Sequence, residues 1–463
     1  MLEVVPKRFP LYIPENLNID ELVKSNPPQF KFHKDELAYI VHLINDIPSR
    51  NKSEDEGMYY YVPLYSVLLQ RRVRDYRKYL DYLVANGIFD EDKRYVQGKK
   101  SRSFKFTDEY QTPIRQIYIT KYTLIKSLLK YINVDLSNEK CLIEDERNLD
   151  YLQKWFSGNL TIDFSGAVNE LWRLYEIDKR DRLKILLIKG KLINPIQRFN
   201  SRYLPVFKLH RLQFLNVKDR TAGRYHTVLT QIMGSLRQFI RFNNQKLVAV
   251  DIVNSQPYLS CVLFDKQKFR DNTILPKIRL YNNYLDNKIE VRKKLCSKVE
   301  NSHRFENVNQ FIDIVKSGRL YEEFGELLLK KDIIVDDGNV RAQVKKIVFS
   351  SFFSPNQSIA YNEAIKVFKD SFPDVYEIYR VIKQSKHRTL ACVLQNLEAE
   401  LVLHKACKII SEQRPEIPLF TLHDAIITTE GNEKFVKQVL YDVLLNAIGI
   451  PPTLKFERWE QAA

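Results

Sequence analysis

Two hydrophobic periods alternate along the chain, and their order sketches its organisation. Residues 34 to 47, KDELAYIVHLINDI, place apolar side chains three and four apart, which predicts an amphipathic helix. VPLYSVLLQR (62–71) predicts a short helix, and VRDYRKYLDYLVANG (73–87) a longer one stopped by Asn86 and Gly87. In IFDEDKRYVQGKKSRSFKFTD (88–108) the period drops to two on either side of VQGKKS, which predicts a pair of strands around a turn. Residues 111 to 218 return to helical spacing, as in KYTLIKSLLKYI and GAVNELWRLYEI. Past residue 219 the apolar runs become continuous: KLVAVD (246–251) and LHDAIITTE (422–430) predict buried strands, with VRAQVKKIVFSSFF (340–353) a helix between them. No internal repeat and no low-complexity segment interrupts this order.

Four regions follow. Residues 1–56 form an extension, Pro- and Asn-rich at first, that is expected to pack on what comes next. Residues 57–110 run helix, helix, basic-tipped hairpin, an order that resembles a winged helix-turn-helix module. Arg71, Arg72, Arg74, Arg77 and Lys78 fall near its longer helix and Lys99, Lys100 and Arg102 at the wing; Arg74, Lys99, Lys100 and Arg102 are the candidate phosphate contacts. Solvated charge on an ordinary small α+β module is a competing reading of equal weight, because winged helices also bind proteins; the module could recruit a template strand or a replication partner. Residues 111–218 form a helical, thumb-like region, and residues 219–463 carry the chemistry.

Composition adds a partner. The 463 residues are 44% hydrophobic and 12% aromatic, which argues a folded chain with ample core. Lysine and arginine total 73 against 57 acidic residues, a net charge of +16, the footprint of a polyanion binder. The charge is spread along the chain and not gathered into one amphipathic stripe, which favours nucleic acid over a membrane surface. Cys141, Cys261, Cys296, Cys392 and Cys407 form no C-x-x-C pair, so neither a zinc knuckle nor a disulfide framework is expected. The N-terminus lacks the pattern of a signal peptide and no run of eighteen apolar residues occurs, so a soluble, cytoplasmic protein is expected.

Two acids stand out because they end apolar strands. Asp424 sits beside His423 at the crown of the hairpin in LHDAIITTE, and Asp251 closes KLVAVD before Pro257 is expected to start a helix. Asp is a common turn residue, so Asp424 alone reads as turn chemistry. If the two strands are neighbours, the carboxylates converge and repel unless a divalent cation lies between them, and hard oxygen ligands suit Mg²⁺. Two such ions can activate an attacking hydroxyl and stabilise a leaving pyrophosphate. On the intervening helix Arg341, Lys345, Phe349 and Phe353 recur every four residues and share one face, a surface for a triphosphate followed by a base and sugar. An amphipathic helix with a Phe stripe is the plainer reading of that segment taken alone.

Together these residues resemble the palm and fingers of the family A DNA polymerases and the related single-subunit phage and mitochondrial RNA polymerases, over about residues 219–463. DIVNSQPYL (251–259) resembles the segment of the first metal-binding aspartate; Arg341, Lys345 and Phe349 keep the R-x3-K-x3-F spacing, and HDA (423–425) matches the final HD motif. TAGRYHT (221–227) is similar to the T-x-G-R segment and RTLACVLQ (388–395) to the R…Q segment. The resemblance implies an α+β right hand, with an antiparallel palm sheet and helical fingers and thumb. It implies that Asp251 and Asp424 hold two Mg²⁺ ions, with Mn²⁺ a possible substitute; that Lys345 and Arg341 take the triphosphate and Phe349 and Phe353 the sugar and base; and that His423, Arg224, Arg388 and Gln395 contact primer and template.

Three departures bear on substrate. Ala425 follows the HD pair, where relatives carry Glu or Ser. Gln256 occupies the slot that is Glu in the DNA enzymes and Gly in the RNA enzymes, and Phe353 lacks the hydroxyl of the usual tyrosine. The latter two changes lean toward deoxynucleotides. The expected function is template-directed nucleotidyl transfer by a DNA polymerase without a proofreading exonuclease, binding a primer-template duplex and nucleoside triphosphates. A single-subunit RNA polymerase or primase-like enzyme is the alternative within the class, and a non-catalytic DNA-binding replication initiator the alternative outside it. A small enzyme of this kind suits a plasmid, phage or other mobile element.

Overall fold

The computed structural model describes residues 5–50, 61–92, 101–137, 148–181, 194–219, 222–265, 306–384 and 386–460, with the backbone alone over 130–137. Lys99, Lys100, Thr221, Cys141 and Cys296 lie outside the described residues.

The first half of the chain builds its own core. Leu37, Ile40, Val41 and Ile44 line the buried face of the helix Lys34–Arg50, as the helical spacing requires, and meet Leu80 and Phe104. The helices Ser66–Arg72 and Tyr76–Ala85 are followed by the strands Phe89–Asp92 and Ser103–Phe106, which pair antiparallel and join Val62–Pro63 in a three-stranded sheet. The longer helix stops where Gly87 turns to φ +70°, and Ile88 N–H closes onto Leu83 O, a C-terminal cap that needs glycine.

Several strands escaped the sequence reading, among them Val62–Pro63, Leu160–Ile162 and Ile240–Phe242, and two of them tie distant segments together. Phe9–Pro14 pairs antiparallel with Ile114–Ile119, so residues from the N-terminal extension and from beyond residue 110 meet in one two-stranded sheet. The same core runs from Leu11 to Leu128, across both of the expected boundaries at 56 and 110.

The second half is organised on a four-stranded antiparallel sheet in the order Phe420–Leu422, Ala425–Thr429, Leu247–Ile252, Leu454–Arg458. Leu247, Val248, Ala249 and Val250 are all buried, which is why this central strand reads as a continuous apolar run. Helix Glu433–Ile448 packs on the sheet, and a long helix, Thr389–Ala399 continuing through a π-helical segment Glu400–Cys407, lies alongside it. Helix Val340–Phe353 spans the predicted residues and buries Val344, Val348 and Phe352. The helix after the central strand begins at Ser255, two residues before Pro257. Among the described residues no helix is long and apolar enough to cross a membrane.

The halves are joined by packing and by charge: Tyr12 and Ile114 of the first meet Leu204 of the second in a small buried cluster. Lys208, on helix Pro195–His210, reaches into the first half and places its Nζ 2.9 Å from buried Asp46.

Candidate active site

The site begins with strand register. Asp251 is the Cα partner of Ala425 on one side and Lys455 on the other, so Asp424, one residue before Ala425, lies diagonal to it at the strand end. The hairpin that carries Asp424 is as tight as it can be: Leu422 pairs with Ala425, leaving His423 and Asp424 as a two-residue connection. His423 takes φ +61° there, a conformation that costs a non-glycine residue about 1–2 kcal/mol. Asn254, three residues after Asp251, takes φ +52° and is buried with neither side-chain amide atom bonded among the described residues. Backbone strain therefore flanks both acids, a pattern that recurs where a fold holds functional groups against their preference.

The electrostatics agree with the register. Burial, reinforced by the Asp424 charge, raises the Asp251 carboxyl to about 6, although Lys455 Nζ sits 3.2 Å from its Oδ2. Asp424 is also raised, mainly by burial; its own backbone amide, Ser255, Arg224 and Lys345 oppose the shift without cancelling it. Two half-buried carboxylates at one strand end, both raised by burial and one by its neighbour's charge, are short of positive charge. As hard oxygen donors they fit Mg²⁺. Among the described residues no group of three His, Cys, Asp or Glu side chains could hold a metal, but Mg²⁺ commonly takes one or two carboxylates and completes its shell with water and substrate phosphates.

The basic helix faces this pair. Lys345 is exposed, lies close enough to lower the Asp424 carboxyl, and holds its Nζ 5.6 Å from the centre of the Phe349 ring. Phe349 and Phe353 are half-buried neighbours with ring centres 5.8 Å apart. Arg341, one turn earlier, stacks 5.2 Å over Tyr321 and donates from Nε to Glu322 at 2.9 Å. Both partners of that ion pair are exposed, so it is a weak restraint on the guanidinium.

The predicted duplex-contact residues divide. Gly223, at φ +70°, lets the segment before Arg224 press on helix Thr389–Ala399, where a Cβ would meet Asn396 Oδ1 at 3.3 Å and Ala399 Cβ at 3.4 Å. Arg224 is thereby brought to Glu398, one turn beyond Gln395, and forks onto it at 3.0 and 3.2 Å. That edge of the guanidinium is engaged within the protein. Arg388 is exposed at the start of the same helix, on an open cavity of ≈450 Å³ that Lys383, Lys386 and His387 also line. His423 meets His226 edge to face at 5.7 Å. In the first half of the chain, Arg74 is exposed, whereas Arg102 is held by Glu91 at 2.6 and 2.8 Å and by Asp81 at 3.3 Å.

Glu398, Lys455 and Tyr321 were missed from sequence. Glu398 is 1% exposed, and burial lifts its carboxyl to about 7 despite the Arg224 fork. Its signal was an acid inside an apolar helix, one turn after Gln395. Lys455 had none, since only the pairing of a distant strand sets it beside Asp251.

No family model matches the sequence, and neither does any curated protein. Among solved structures the chain is similar to the POL domain of Pol1 from M. smegmatis in complex with DNA primer-template and dNTP, at 11% identity over 73% of each chain with a TM-score of 0.43. A likeness at that level decides nothing about fold or chemistry.

Proposed function

We propose that this chain is a template-directed nucleotidyltransferase, a DNA polymerase without a proofreading exonuclease that extends a primer on a template strand. One observation carries the reading: two acids distant in sequence share one sheet end, both with raised proton affinity, and the charge of Lys345 on the basic helix reaches Asp424.

Each residue has a task in that reaction. Asp251 and Asp424 would hold Mg²⁺, which when bound supplies Lewis-acid activation of the primer hydroxyl and charge stabilisation of the leaving group. Lys345 and Arg341 take the triphosphate and neutralise the charge that builds on pyrophosphate. Phe349 and Phe353 offer the apolar platform for the nucleotide. Lys455 holds the Asp251 carboxylate in place through its 3.2 Å contact. The net charge of +16 suits a duplex bound through its phosphates, with affinity that falls as salt rises. The winged-helix-like region would engage nucleic acid or a replication partner.

The test is primer extension on a labelled oligonucleotide with Mg²⁺, offering dNTPs and NTPs separately on primed and unprimed templates. Extension by the wild type and its loss in Asp251→Asn and Asp424→Asn, with duplex binding kept, is the expected result. Synthesis on unprimed templates from NTPs would move the assignment to primer or RNA synthesis. Incorporation of neither nucleotide set, alongside sequence-specific duplex binding, would move it to a replication initiator.

A further inference from the structure

The outer strand Leu454–Arg458 brings a cation to Asp251. Lys455 is the Cα partner of Asp251 across the sheet and sets its Nζ 3.2 Å from Asp251 Oδ2. Among the described residues this is the one ion pair that either acid makes. The Asp251 side chain is 21% exposed and that of Lys455 53%, so the contact is sheltered on the carboxylate side and open to water on the ammonium side. Other cations stand further off. Arg237 feels the Asp251 charge, but its Nη1 lies 3.6 Å from Glu457 and its guanidinium 5.8 Å from the centre of the Trp459 ring. Lys345 and Arg224 lower Asp424 without an ion pair to it among the described residues.

The contact that holds the Asp251 carboxylate also occupies it. A divalent ion brought to the same acids meets an ammonium already in place, and like charges gathered at a partly buried carboxylate repel more than they would in open water. A lysine suits such a post, because its charge is compact and its stem flexible enough to give way. We propose that Lys455 is a resident counter-ion of the acid pair, which competes with the divalent ion and weakens its binding to the chain alone. In the metal-free protein Lys455 offsets part of the repulsion between Asp251 and Asp424; once an ion arrives, the same charge works against it. The inference rests on the reading of these acids as metal ligands, and goes beyond it by naming the residue that sets how firmly they hold the ion.

The experiment is a titration of the full chain with Mn²⁺, an ion that carboxylate oxygens also suit, with the unbound ion read by electron paramagnetic resonance at fixed pH and ionic strength. Neither nucleotide nor primer-template is present. Wild type is compared with Lys455→Met, Lys455→Arg and Asp251→Asn; a thermal melt in EDTA establishes folding, and Lys455→Gln serves where Lys455→Met fails to fold. Lys455→Met or Lys455→Gln is expected to lower the Mn²⁺ Kd on the order of tenfold, about 1.4 kcal/mol. Lys455→Arg keeps the charge and is expected to stay near the wild-type Kd. Asp251→Asn is expected to lose the site whether or not Lys455→Met is added, since the lysine acts only through that carboxylate. The proposal is overturned by a Kd unmoved or raised in Lys455→Met and Lys455→Gln, or by Lys455→Arg binding as tightly as Lys455→Met. Binding indifferent to Asp251→Asn, or no saturable binding in wild type and Lys455→Met alike, is a different result: it removes the metal reading itself, and this inference falls with it.

Discussion

Asp46 and the acids of the second half are all withdrawn from water, yet their proton affinities move in opposite directions. Burial alone would raise Asp46, but Arg50 at 2.5 Å, Lys208 at 2.9 Å and the nearby His42 hold it well below the usual carboxylate range. Asp251 and Glu398 each face one cation and rise to about 6 and about 7, and Asp424 is raised as well. The first arrangement is electrically complete and serves packing between helices. The second is short of positive charge, which in the function proposed above Mg²⁺ would supply. Asp178, raised by burial despite Arg198 and Arg202, marks an intermediate case and shows that counting partners does not settle the balance.

Breaking the contrast should show first in activity. Asp251→Asn or Asp424→Asn is expected to lower primer extension by on the order of 10³-fold or more, while the thermal midpoint holds or rises because a repulsive charge is gone. Loss of activity together with a large fall in midpoint would make these acids structural, like Asp46. Asp46→Ala should do the reverse. It leaves Lys208 buried without its counter-charge, so a loss of about 3–5 kcal/mol in a denaturant titration is expected, with turnover per folded molecule kept.

Charge reversal on the basic helix sharpens the comparison further. Lys345→Glu should raise the nucleotide KM on the order of tenfold, and Lys346→Glu much less, because the charge of Lys345 reaches Asp424 and its Nζ lies over the Phe349 ring. Equal effects in steady-state kinetics would mean that the helix presents another face.

The smallest effect is the pH dependence of stability, because the two regions oppose each other. Burial of His42 depresses its pKa from 6.5 to about 4, so the stability linked to its neutral form is present above pH 6.5 and is lost as pH falls toward 4. Glu398 is raised from 4.5 to about 7, so its contribution is present below pH 4.5 and is lost as pH rises toward 7. Urea midpoints across pH 4 to 7.5 should rise more steeply with pH in Glu398→Gln than in wild type and less steeply in His42→Asn. A slope unchanged in both would refute the assignment.

What the sequence disclosed follows from how local each cause is. The strand ending at Asp251 and the helix carrying Lys345 announced themselves because burial on both strand faces and a four-residue repeat are written in consecutive residues. The convergence of Asp251 and Asp424 was an inference from a pair of strand-end acids, and the register of Asp251 opposite Ala425 supplies its geometry. Lys455 depends on which distant strand becomes a neighbour, which no local period encodes, and Glu398 showed only as an acid in an apolar helix, its partner Arg224 lying 174 residues away. FPLYIP at 9–14 was obscured differently: proline at both ends of a short run reads as a break, although an outer strand tolerates it.

The Lys208 side chain, ending among Asp46 and its partners, has a mechanical meaning as well. A hinge between the halves would have to draw an ammonium out of its buried cage, so Lys208 acts as a clasp that keeps the first core seated against the second.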